Sequence, residues 1–116
     1  MFSTRITSAA ILVMALAPAQ AEPLTAGCGL MQSLAQEHAN DMVRRERLDH
    51  AGFAKHTTRG ARAENVAFGH ASEAETLAQW RASPGHAANM RRPGCKAVAS
   101  AQSRSGRTYW VMEIGR

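Results

Sequence analysis

At 116 residues, the chain has room for one domain and not for a second. Fourteen Lys and Arg against nine Asp and Glu give a net charge of +5. The basic residues are scattered (Arg44, Arg45 and Arg47; Arg59 and Arg62; Arg91 and Arg92), and the few aromatics offer no stacking platform among them, so nucleic-acid binding is set aside in favour of a solvated basic surface.

The first 21 residues read as a secretory signal peptide. Arg5 supplies the positive n-region, "SAAILVMALA" (8–17) is an apolar run too short to span a bilayer, and "AQA" (19–21) is a small-x-small cleavage site. Residues 22–29 form a short leader, and the folded domain is expected over 30–115, with no transmembrane helix in the mature chain. Export places the protein in the periplasm or outside the cell. In such an oxidising compartment the two cysteines, Cys28 and Cys95, are expected to form one disulfide. The competing reading, a lipidated Cys28 in "LTAGC" (24–28), is weakened by Glu22 and Pro23 before it and by Thr25 within it.

Residues 28–48 predict an amphipathic helix, since Leu30, Leu34, His38 and Met42 recur every fourth residue with Met31 and Ala35 beside them. Residues 49–71 show no sustained period and are expected to be a long loop. A second helix starts at the capping box Ser72-Glu73-Ala74-Glu75. Ser83-Pro84 marks a third, short helix through "PGHAANM", with the Ser83 hydroxyl expected to cap it. The pattern then switches to strands over 96–102 and 107–114, joined by the turn 103–106. In the second strand Thr108, Trp110, Met112 and Ile114 share one face, and Tyr109, Val111 and Glu113 the other. The fold class is α+β, helices on a small antiparallel sheet.

Five histidines invite a metal reading. His38 lies on the apolar line of the first helix and is expected to be a satisfied core residue. His56 and His70 are expected to be solvated loop residues. His50, directly after the first helix, and His86, on the first turn of the third, stand apart. Between them is Glu64, a carboxylate in the apolar "AENVAFG" that needs a partner. Two imidazoles and a carboxylate form a reasonable Zn²⁺ set with one position open for water, although the spacing is unlike HExxH. A serine–histidine–acid arrangement of Ser83, His86 and Glu64 is the weaker alternative, as a capping hydroxyl is a poor nucleophile and no G-x-S-x-G elbow is present.

"LDHAGF", "AENVAFG", "WRASPGHAANM" and the closing "YWVMEIG" together resemble the bacterial branch of the CAP superfamily. This is the SCP domain of cysteine-rich secretory proteins, insect antigen 5 and plant pathogenesis-related proteins. The resemblance covers about residues 30–115. It implies an α-β-α sandwich with a cleft lined by two histidines and two glutamates, which in some members holds a divalent metal. His50, Glu64 and His86 match three of these positions, and Ser83 stands at the offset from Trp80 where the fuller motif has the second glutamate. The implied metal set is therefore His50, Glu64 and His86, for Zn²⁺ or another divalent cation, with one ligand fewer than the family pattern. The short spacer before Cys28 also implies that the first family helix is missing.

Family activities are heterogeneous, and fold does not fix function. The expected function is a non-enzymatic binding module whose His/Glu-lined cleft takes a small ligand, a lipid or an envelope or protein partner. Two alternatives stay open: a divalent-metal-dependent hydrolase in the same cleft, and a purely structural cluster of the three residues.

Overall fold

A computed structural model describes residues 26–116, so the expected signal peptide, the first part of the expected leader and the question of an earlier helix lie outside the described residues. In chain order the elements are α1 (Ala26–Arg45), α2 (Phe53–Thr57), β1 (Ala61–Phe68), α3 (Glu73–Ala82), α4 (Pro84–Met90), β2 (Lys96–Gln102) and β3 (Thr108–Gly115).

The buried side chains of α1 are Met31, Leu34, Ala35, His38, Ala39 and Met42, steps of three and four that keep one stripe facing the sheet. Each fully buried Leu or Met contributes about 1.5–3 kcal/mol by leaving water. The helix stops three residues short of the expected end. Glu46 turns to a positive φ of 49°, and the Arg47 amide donates back to the Met42 carbonyl at 3.1 Å.

The three strands are all antiparallel in the order β1-β3-β2, with β3 in the centre. Tyr109 and Val111 of β3 pack with Ala35, Ala39 and Met42 of α1. On the other face Trp110, Met112 and Ile114 pack with Trp80 of α3, flanked by Leu77 and Met90. The architecture is thus helix, sheet, helix, the expected α-β-α sandwich, with the two faces of β3 divided as its alternation predicts.

The stretch expected to be a loop contains α2 and β1, which is a correction to the sequence reading. Helices cover both faces of β1, so five consecutive residues, Ala63 to Ala67, are buried and no alternation shows. Small, weakly β-forming residues hide it further. A bulge between Ala61 and Ala63 reverses the pleat. Ala61 therefore packs with Met31 and Leu34 on the α1 side, while Ala63 packs on the α3 side.

The Cys28–Cys95 disulfide is present and joins α1 to the residue just before β2, 67 residues on. Closing a loop of that length limits the unfolded chain and contributes about 4 kcal/mol. The Ser72 cap is also present: its hydroxyl accepts from the Glu75 amide at 3.2 Å, and the Glu75 carboxylate accepts from the Ala71 amide at 3.2 Å. Ser83 occupies the N-cap position of α4, but its hydroxyl accepts no capping hydrogen bond. The helix is started instead by Pro84 and by the Ser83 carbonyl, which accepts from the Ala87 amide at 2.8 Å. No helix among the described residues is long and apolar enough to cross a membrane.

Candidate functional site

Glu64 is the hub. It sits in β1, 5% exposed, on the α1 side of the sheet. Its Oε1 accepts from the Nδ1–H of His50 at 2.8 Å, and the Nε2 of His38 lies 3.5 Å from the same oxygen. The two histidines differ in burial: the His50 side chain is 54% exposed and that of His38 only 2%. His38 donates through Nε2 to the Asp49 carbonyl at 2.7 Å, the satisfied core role expected for it.

The segment between α1 and α2 is fixed by charge. Arg45 forks onto both oxygens of Asp49, at 2.8 Å each, and donates through Nε to Asp41 at 2.9 Å. The Asp49 carboxylate also accepts from the Ala51 amide at 3.1 Å. Hydrogen bonds from Arg45 hold the carboxyls of Asp49 and Asp41 below the usual range, and burial opposes this only in part. This clamp aims His50 at Glu64.

Outside the pair lies an open cleft of about 300 Å³ along the edge of β1, with Phe53 of α2 and Asn89 of α4 in its lining. His50 and Glu64 line it, and Arg62 and Arg92 add two guanidinium groups. Asn89 is placed by the buried Asn65. Its Nδ2 donates to Asn65 Oδ1 at 2.9 Å, while Asn65 Nδ2 donates to the His86 carbonyl at 3.1 Å. The Asn in "AENVAFG" thus ties α4 to the sheet, and Trp80 ties α3 to it by donating to the Val66 carbonyl at 3.2 Å.

His86 and Ser83 are not among the residues lining this cleft. The His86 ring packs against Trp80, centroids 6.5 Å apart, and its Nδ1 is buried without a partner. Among the described residues it forms no ion pair with Glu64, so the structure joins His50 to Glu64 but does not bring His86 to them. The residues whose ligand atoms converge are His56, Glu64 and Glu113, all buried, with one atom of each within 4.8 Å of the others.

His56 is therefore not a solvated loop residue. α2 turns it inward, 5% exposed, with its Nδ1 3.0 Å from Glu113 Oε1. Burial pushes its pKa down, opposed in part by the Glu64 and Glu37 carboxylates. His70 is half-buried after β1, and its carbonyl accepts from the Trp110 indole at 2.9 Å. Glu113 is fully buried and directly opposite Glu64 in the strand register. Burial, and then the neighbouring Glu64 carboxyl, push its pKa up to about 10. The sequence does carry a signal for Glu113: like Glu64, it is a carboxylate on an otherwise apolar strand face.

The model of the cysteine-rich secretory protein family matches residues 6–114, nearly the whole chain. The chain belongs to the CAP family. The α-β-α architecture of this CAP domain agrees with that membership. No curated protein and no solved structure gives a match to the chain.

Proposed function

We propose that this CAP domain is an exported, non-enzymatic binding module, and that the cleft at the β1 edge takes a small anionic ligand or the anionic head of a lipid. One observation carries the reading: the half-exposed His50 ring is held by a buried carboxylate at 2.8 Å, inside a cleft that also presents Arg62 and Arg92. With Nδ1 tied to Glu64, the Nε2 of His50 is left for a ligand, and two guanidinium groups beside it favour carboxylate or phosphate oxygens. Burial of Glu64 sets the ring orientation before a ligand arrives, so little ordering cost remains at binding. The disulfide and the N-terminal apolar segment support export. A divalent-metal-dependent hydrolase in the same cleft draws less support, because only His50 and Glu64 among the residues lining it are metal-ligating types.

The test is an amide NMR titration with inorganic phosphate and, separately, with a short-chain anionic phospholipid. Saturable shifts centred on His50, Arg62 and Arg92, weakened at least tenfold in Arg92→Ala, support the reading. A titration that leaves these amides unmoved by both probes overturns it. A response to lipid alone assigns the cleft to a lipid head, and a response to both assigns it to the anion itself.

A further inference from the structure

Three elements each bring one acid or imidazole to the interior on the α1 side of the sheet: His56 from α2, Glu64 from β1 and Glu113 from β3. Their side chains are 6%, 1% and 0% exposed. The Nδ1 of His56 stands 3.0 Å from Glu113 Oε1 and 3.9 Å from Glu64 Oε2. Ligand atoms at about 2.0–2.2 Å from a tetrahedral Zn²⁺ are roughly 3.2–3.6 Å from one another, which these separations bracket. Glu64 Oε2 and Glu113 Oε2 are both buried and meet no N–H or O–H donor unless a proton lies between the two carboxyls. Among the described residues, no Lys or Arg pairs with either acid. Two carboxyls sharing one small space this far from water call for a cation, either a proton or a metal.

We propose that His56, Glu64 and Glu113 form a buried site for one divalent transition-metal cation. A mixed imidazole and carboxylate set suits Zn²⁺, and three protein ligands leave a fourth position. The route in is the cleft of about 570 Å³ between α1 and α2, which has His38 and His56 in its lining. The site differs from the set His50, Glu64 and His86 implied by family resemblance, as it shares only Glu64 with it. It also goes beyond the ligand cleft, since neither His56 nor Glu113 lines that cleft. Failure of one reading therefore leaves the other standing.

The experiment is calorimetric titration of Zn²⁺ into the purified chain at pH 7.5 with its disulfide intact, beside Glu113→Gln and His86→Ala. One site is expected, weakened at least tenfold by Glu113→Gln and changed less than twofold by His86→Ala. Glu113→Gln keeps the size of the side chain and an oxygen for His56. Should it nonetheless fail to fold, Zn-edge X-ray absorption on the unsubstituted chain decides, with one imidazole among oxygen ligands expected. Absence of binding, binding that survives Glu113→Gln, or two imidazoles on the metal overturns the proposal. With no binding, the two acids are held by a shared proton alone.

Discussion

Glu64 and Glu113 face each other across neighbouring strands, and both carboxyls are buried. Glu64 continues the contact outward to the half-exposed His50, and Glu113 continues it inward to the buried His56. One pair of acids thus links a surface cleft to the interior of the sandwich.

Removing the Glu113 side chain should cost more than replacing its carboxyl by an amide. Glu113→Ala leaves a hole beside the central strand and takes the partner from His56 Nδ1, at an expected cost of about 2–4 kcal/mol. Glu113→Gln fills the same space and keeps an oxygen towards His56, at an expected cost within about 1 kcal/mol. Urea unfolding in the presence of EDTA measures both. Equal losses in the two variants would show that the carboxyl oxygen facing His56 contributes little.

Asn65 is completely buried and holds both the His86 carbonyl and the Asn89 amide. Asn65→Ala should destabilise by about 2–3 kcal/mol, as the His86 carbonyl loses this side-chain donor and Asn89 Nδ2 keeps only its longer bond to the Glu64 carbonyl. Amide exchange should rise first in α4, because this side chain makes the two shorter hydrogen bonds between that helix and β1, beside the 3.4 Å bond from Asn89 Nδ2 to the Glu64 carbonyl. Uniform loss of protection across the domain would place Asn65 in the global core instead.

The disulfide ties the start of α1 to β2. Cys28→Ser together with Cys95→Ser should lower stability by about 4 kcal/mol, mainly by freeing the unfolded chain. Thermal melts of the double variant, with and without reductant, should coincide, whereas the unsubstituted chain should lose most of that margin when reduced. A double variant that melts with the oxidised chain would refute this expectation.

The Arg45 clamp gives a pH signature. Asp41 and Asp49 have folded pKa values below the ordinary value of 3.8, with the Arg45 hydrogen bonds as the largest cause for each. A lowered carboxylate contributes stability that is fully present above 3.8 and is lost as pH falls through the folded value. Asp49→Asn should therefore melt below the unsubstituted chain at neutral pH, and the gap should stay constant down to about pH 4 and close in stronger acid. The gap should be modest, because Arg45 is 34% exposed and solvent screens the pair. A gap that widens on acidification would mean that the Asp49 carboxylate is not what stabilises the segment.

Gly94 has a φ of 112°, and a side chain there would run into the Gly115 carbonyl. The chain needs this bend so that the Gly115 amide can donate to the Cys95 carbonyl at 2.9 Å. Gly94→Ala should cost about 2–3 kcal/mol in urea unfolding through backbone strain and the forced separation of β3 from the disulfide. A loss below about 1 kcal/mol would show that this corner relaxes freely.

The elements whose pattern is local are legible in the sequence. The α1 stripe of Met31, Leu34, His38 and Met42, the Ser72 cap and the β2–β3 hairpin each arise from neighbours a few residues apart. The disulfide followed from there being two cysteines in a chain read as exported. The two-faced split of β3 was legible because its large side chains alternate. β1, α2 and the interior of the site arise from long-range packing. β1 is buried on both faces and so shows no period, and α2 is too short to have one. Glu64 and Glu113 lie 49 positions apart in the chain and meet only because β1 pairs with β3 in one register. His56 joins them because a five-residue helix turns it inward. Such contacts depend on long-range strand pairing and burial, which no short window of sequence encodes.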